Sequence, residues 1–191
     1  MVKIVVVSDN HVLRTNLEHI LEKWETADYF IHCGDSQFQN SDELLTKFIR
    51  VRGNNDNGSF VEEELVRIGK YTILVIHGHM QDVINYGGEN VQGTATLADY
   101  ARRVGANMVF YGHTHRADFH YDGQVMVLNP GSTDYPRDYS MRIPTYAVVE
   151  FDDDQLSVEF FHAETHDIIT RKIQKKEKAS KNDFLDFFRK K

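Results

Sequence analysis

Five times along this chain, a short apolar run stops at a residue able to bind a metal or carry a proton. Lys3-Ile4-Val5-Val6-Val7 stops at Ser8-Asp9-Asn10-His11. Tyr29-Phe30-Ile31-His32-Cys33 stops at Gly34-Asp35. Ile49-Arg50-Val51-Arg52 stops at Gly53-Asn54-Asn55-Asp56. Tyr71 to Ile76 stops at His77-Gly78-His79, and Met108 to Tyr111 at Gly112-His113-Thr114-His115. Continuous β-branched runs suit strands buried on both faces. In mixed α/β sheets, ligands gather at the carboxyl ends of the strands. The pattern therefore restricts the fold: strand ends that share one edge would pool their polar residues into one site.

The segments between these runs fit an α/β chain. Leu13, Leu17, Ile20, Leu21 and Trp24 recur at helical spacing and predict a helix over Leu13 to Trp24. Leu44, Leu45 and Phe48 predict a shorter one. Thr94 to Val104 reads as a helix with Leu97, Ala98, Ala101 and Val104 on one face and Gly105 as its stop. Glu63 to Ile68 and Tyr71 to Ile76 form a predicted hairpin joined at Gly69-Lys70. A polar loop is expected around Tyr86-Gly87-Gly88. Further strands are expected at Phe119–Tyr121, Val125–Leu128, Tyr146–Phe151, Gln155–Phe161 and Ile168–Ile173, with a turn at Asp153-Asp154. The 191 residues suit one domain over 1–174 and a basic tail over 175–191. Phe184, Leu185, Phe187 and Phe188 make that tail a short amphipathic helix in expectation.

Charge and cysteine usage narrow the partners. A net charge of -7 offers no broad basic field for nucleic acid. The single cysteine, Cys33, supplies no intrachain disulfide and fits a reducing compartment, so the cytoplasm is expected. The apolar run Ile4 to Val7 is too short for a leader peptide, and no run approaches a membrane span. A membrane partner is not expected; homo-oligomerisation is left open.

Asp9, His11, Asp35, Asn54, His77, His113 and His115 together supply two carboxylates, one carboxamide and four imidazoles. One ion takes about four to six ligands. The set suits two ions if a carboxylate bridges, and paired ions about 3.5–4 Å apart can clamp a phosphoryl group. Nitrogen and oxygen donors without thiolate favour manganese, iron, zinc, cobalt or nickel over magnesium or calcium. Singly, each residue has a plainer reading: Asp9 as a helix N-cap, Asp35 and Asn54 as turn residues, His77 as a polar strand end. His79 reads as a neighbour of the ligands or phosphate-facing, and His32 as a core or supporting residue. Cys33 reads as a small buried residue. Asn129-Pro130-Gly131-Ser132 reads as a structural turn, with Ser132 a candidate contact to the site. Arg137 and Arg142 are candidate phosphate binders.

The series Asp9-x-His11, Gly34-Asp35, Gly53-Asn54-x-Asp56, His77 and Gly112-His113-x-His115 resembles, in order, the signature of calcineurin-like metallophosphoesterases. The length and His77-Gly78-His79 resemble the compact bacterial and archaeal phosphodiesterase branch, over roughly residues 3 to 170. The resemblance implies a four-layer αββα sandwich of two mixed β-sheets flanked by helices, with metals at the sheet edge. It implies two divalent transition-metal ions, manganese first. Asp9, His11 and His115 would hold one, Asn54, His77 and His113 the other, and Asp35 would bridge. A hydroxide between the ions would attack the phosphorus of a small phosphodiester in line, with Asp35, Asn54, Asn55 and His113 in catalytic roles. Two departures stand out. The usual Gly-Asn-His-Asp/Glu has Asn55 in place of the His that protonates the leaving oxygen, and a carboxamide is no general acid. Gly34-Asp35-Ser36-Gln37-Phe38 also lacks a later Asp, which puts a supporting contact in question. The alternatives are a phosphomonoesterase and a retromer-like scaffold on the same fold.

Overall fold

In the computed structural model the residues described are 1–81, 91–122, 124–137 and 142–175. Strand β1 (Val2–Val7) is followed by helix α1 (Thr15–Lys23), β2 (Tyr29–His32), β3 (Ile49–Arg50), β4 (Glu63–Ile68) and β5 (Tyr71–Ile76). Helix α2 (Val91–Val104) leads to β6 (Met108–Phe110), β7 (Ala117–Tyr121), β8 (Met126–Pro130), β9 (Thr145–Phe151), β10 (Gln155–His162) and β11 (Ile168–Lys175). The strands form two mixed sheets, one of six in the order β11-β10-β9-β1-β2-β3, the other of five in the order β4-β5-β6-β8-β7. β1, β2 and β3 run parallel in the first, and β5, β6 and β8 in the second.

Side-chain alternation builds three apolar layers from these two sheets. Ile4 and Val6 face Ile73, Val75, Met108, Phe110 and Leu128 between the sheets. Their neighbours Val5 and Val7 face outward onto Leu17, Ile20 and Leu21 of α1. On the far side Leu74, Ile76, Val109 and Val127 pack under Leu97, Ala98 and Ala101 of α2. A strand of period two with both faces covered must be apolar throughout, which is why the runs are unbroken. Burying each such side chain contributes roughly 1.5–3 kcal/mol. The order helix, sheet, sheet, helix is the four-layer sandwich expected.

Boundaries differ from expectation for physical reasons. The helix expected at Leu44 is a short 3-10 turn, Leu44–Lys47. The third strand stops at Arg50, because the chain beyond it turns in to deliver Gly53 and Asp56. α2 starts three residues earlier than expected, at Val91, and ends at Gly105 in the left-handed region (φ +78). The loop at Tyr86-Gly87-Gly88 and the tail residues 176–191 lie outside the described residues. Among the described residues, no helix is long and apolar enough to cross a membrane.

Candidate metal centre

The carboxyl ends of β1, β2, β3, β5 and β6 meet at one edge of the sandwich, and backbone bonds tie their loops together. Asp9 N–H donates to Gly34 O (3.0 Å), His11 N–H to Asp35 O (3.2 Å) and Gly112 N–H to His77 O (3.0 Å). The last of these joins β5 to β6 just past their ends. Gly112 packs closely against the first sheet's loops: a Cβ there would lie 2.7 Å from Asp9 Oδ2 and 3.1 Å from Cys33 O. Asp9 (φ 53), His11 (φ 38), Asp35 (φ 58), His113 (φ 69) and His115 (φ 58) all take the left-handed conformation. Such conformations cost of order 1–3 kcal/mol each and cluster at functional sites. The N-cap reading of Asp9 fails, since α1 begins six residues later behind Arg14, without a side-chain cap.

The imidazoles are held so that their free nitrogens face one another. His115 Nδ1–H donates to Tyr135 O (2.6 Å), and His11 Nδ1–H to Gln37 Oε1 (2.9 Å). Both oxygens only accept, so each ring keeps its proton on Nδ1. The two Nε2 lone pairs then point at each other across 3.1 Å. Asp9 Oδ1 lies 3.2 Å from His115 Nε2 and is buried without a hydrogen-bond partner among the described residues. The ligand atoms of Asp9, His11, Asp35 and His115 all fall within 4.8 Å of one another.

Beside this group lies a second. His77 Nδ1–H donates to Cys33 O (2.7 Å), turning Nε2 toward Asn54 Oδ1 (3.1 Å) and Asp35 Oδ2 (3.4 Å). His113 Nδ1 approaches Asn54 Oδ1 from the other side (2.9 Å). Acceptors crowd together at the first place, and at the second His77 Nε2 faces Asn54 Oδ1 and Asp35 Oδ2; a proton or a cation reconciles such contacts. A proton on His77 is one way to do so. Burial pulls that imidazole down, but the Asp35 hydrogen bond and the Asp9 and Asp35 charges push it up to about 9. Burial and the His77 charge push His113 down to about 4. Asp9 stays below the ordinary carboxylate range although burial opposes it, because His115 and His77 stand beside it.

All seven candidate ligands therefore meet at one edge, and Asn55 meets them there. Its backbone N–H and side-chain Nδ2 donate to the two oxygens of Asp35 (2.8 and 2.6 Å), so it steadies that carboxylate. Ser132 reaches the site as expected, its hydroxyl donating to Asp9 O (2.7 Å). His32 braces Asn10 through Nε2 (2.9 Å), with burial pushing it down to about 4. Cys33 is buried, its thiol pushed well up by burial. His79 stands 5.4 Å from the His77 ring. Arg137 lines the cleft.

Three residues have supporting roles that the sequence did not assign. Asp56 is the hub of the loops: it accepts from Asp35 N (2.8 Å), Gly53 N (2.8 Å), Gln37 N (2.6 Å) and Ser36 Oγ (3.1 Å). Gln37 orients His11, so the loop without a later Asp still supplies a supporting contact. Asn129 Nδ2 donates to Gly112 O (2.7 Å) and Thr114 Oγ1 (3.0 Å), fixing the His113–His115 turn. Such partners orient ligands and hold their tautomers. Only the place of Asp56 in the Gly53-Asn54-x-Asp56 spacing could have flagged any of them.

Comparison with known proteins agrees with this geometry. The calcineurin-like phosphoesterase superfamily domain matches residues 2–154. The probable metallophosphoesterase YsnB of Bacillus subtilis is 31% identical over 160 residues, 83% of this chain and 89% of the relative. Phosphodiesterase MJ0936 of Methanocaldococcus jannaschii is 28% identical over 173 residues, 78% of this chain and 92% of the relative. The crystal structure of a conserved uncharacterized protein of Streptococcus pneumoniae TIGR4, described as a predicted phosphoesterase, superposes with a TM-score of 0.80. It is 28% identical, with 91% of this chain and 97% of that one covered. A domain match over most of the length, on a chain whose aspartates and imidazoles converge at a sheet edge, places this protein in the calcineurin-like phosphoesterase superfamily of metal-dependent phosphoester hydrolases.

Proposed function

We propose that the chain is a phosphodiesterase working with two divalent transition-metal ions. The observation that carries the reading is the convergence of acceptors at two adjacent places that share Asp35. Asp9, His11 and His115 would hold one ion, Asn54, His77 and His113 the other, and Asp35 would serve both. The donors are imidazole nitrogens and amide or carboxylate oxygens, which fit manganese, nickel, zinc, iron or cobalt. When bound, such ions supply a nucleophile from water at neutral pH and offset charge on the phosphoryl oxygens.

The chain's own residues favour one kind of leaving group. Asn55 holds Asp35 and offers no titratable proton to a leaving oxygen. General acid catalysis is worth about 10²–10⁴-fold, so substrates whose leaving group departs without a proton gain most here. A phosphodiesterase of Methanocaldococcus jannaschii among the relatives supports the diester class. The buried thiol of Cys33 fits a reducing cytoplasm.

The test is hydrolysis of bis(p-nitrophenyl) phosphate and p-nitrophenyl phosphate by metal-free protein with manganese, nickel, zinc or magnesium added back. Metal-dependent cleavage faster on the diester is expected. Faster monoester cleavage would replace the diester class with a phosphatase. No turnover by folded, metal-loaded protein would move the weight to a protein-binding scaffold.

Metal uptake should also release protons. A ligand imidazole must be neutral, yet the Asp35 hydrogen bond and the Asp9 and Asp35 charges, against burial, push His77 up to about 9, above the ordinary 6.5. Its charged form stabilises the metal-free fold fully below about pH 6.5, and that contribution is lost as pH rises through about 9. Metal affinity has the opposite slope and should rise with pH up to about 9. Calorimetric titration at pH 7.5 in buffers of different ionisation enthalpy should register at least one proton per chain, from His77 and from any water the ions ionise; a buffer-independent heat would contradict it.

A further inference from the structure

We propose that Tyr135, with Arg137 beside it, forms the platform for the non-reacting arm of the substrate, and that this arm carries a planar aromatic group such as a nucleobase. The inference rests on the phosphoesterase reading of the cleft and names the substrate class within it.

The cleft over the candidate ligands measures about 440 Å³ and is lined by His11, Asp35, Asn54, Asn55, His113 and His115, with Tyr135 and Arg137. That volume lies in the range of small organic ligands, so there is room beyond the phosphoryl group. The first six of these residues are five of the ligand candidates and Asn55. Tyr135 and Arg137 alone offer planar groups that are not tied up in that cluster.

The Tyr135 ring is 66% exposed, but its backbone is fixed at both ends. Tyr135 N–H donates to Ser132 Oγ (2.6 Å), whose own hydroxyl donates to Asp9 O (2.7 Å). Tyr135 O accepts from His115 Nδ1 (2.6 Å), and Arg137 N–H donates to His115 O (3.0 Å). Pro136 between them restricts the Tyr135 backbone, and Tyr135 and Arg137 both line the cleft. The ring lies nearly perpendicular to that of His11, with centroids 6.3 Å apart at 80°. The exposed ring stands beside the ligand cluster and lines its cleft. Among the described residues Arg137 has no ionic partner, and a guanidinium stacks on aromatic rings as well as pairing with phosphate. A rigidly mounted, exposed aromatic ring beside a phosphate site is a stacking surface, and base–aromatic stacking tolerates any base.

Two measurements on the metal-loaded protein test this. In calorimetric titration, adenosine 5′-monophosphate should bind about tenfold more tightly than methyl phosphate. Tyr135→Ala should erase that difference and Tyr135→Phe should keep it. Equal affinity of the two probes for the unmodified protein would overturn the assignment, whatever the protein hydrolyses. In turnover, thymidine 5′-p-nitrophenyl phosphate and methyl p-nitrophenyl phosphate share one leaving group. Tyr135→Ala should shrink the ratio of their kcat/KM values about tenfold, and an unchanged ratio would likewise count against the platform. If the nucleotide preference in binding is present but neither ester is cleaved, the platform stands and the diesterase reading is the one that fails.

Discussion

Asp35→Asn should lower metal-dependent phosphoester hydrolysis by on the order of 10³-fold, the scale of removing one group from an electrostatically organised site, with the fold retained. The two side chains have nearly the same shape, so packing does not change. The hydrogen bonding does. Both Asp35 oxygens accept protons, one from the Asn55 backbone N–H and one from Asn55 Nδ2. A carboxamide must turn its NH2 toward one of those donors. It also removes the charge that His77 Nε2 faces at 3.4 Å, and in the proposed assignment it removes the only ligand common to both ions. Turnover of bis(p-nitrophenyl) phosphate, metal content by elemental analysis and the thermal midpoint would be measured together. Activity within tenfold of the parent at full metal occupancy would end the shared-ligand reading.

Asp56→Ala should cost about 3–5 kcal/mol, the scale of leaving buried partners of a charged group unpaired, and should lower the thermal midpoint by about 10 °C. Asp56 touches nothing that reacts. Its carboxylate takes the backbone N–H groups of Asp35, Gly53 and Gln37 and the Ser36 hydroxyl, and it is buried (3% exposed). Truncation would strand those donors where water cannot replace the carboxylate oxygens. Metal affinity should fall as well, by about 10–100-fold, as for other groups that orient ligands. Asp56→Asn should be milder, since its carbonyl oxygen can still accept. Chemical denaturation and metal titration of the two variants check the order; an alanine variant as stable as the parent would remove Asp56 from the framework.

The legibility of each element in the sequence depended on how that element is buried. β1, β5 and β6 are covered on both faces, so they read as unbroken apolar runs whose ends could be placed within a residue or so. The ligand candidates stood out because polar residues at the ends of such runs have few structural reasons to be there. Lateral order was hidden. Nothing in the period of β8 says that it slots between β6 and β7, or that β9 lies against β1, because every inner strand presents similar Val, Ile and Phe side chains. The supports were hidden for another reason. Asp56, Gln37 and Asn129 are ordinary turn residues by composition. Their partners are fixed by backbone angles, such as the left-handed φ of 57 at Gln37, which exist only once the loops have packed. Tyr135 belongs with them: a tyrosine before a proline in a polar stretch gives no sign that its carbonyl holds a histidine.

The placement of β1 between β2 and β9 also orders events during synthesis. Made before either neighbour, β1 can form its parallel ladder with β2 early, but its other flank stays open until Thr145–Phe151 has been made. Asp9 meets the His113 backbone across 104 residues of chain, and Ser132 must arrive to hold the Asp9 carbonyl. Pairings of such span are slow to form. A nascent chain therefore holds its candidate ligands apart until the segment from His113 to Phe151 has been made and has locked β1 in place.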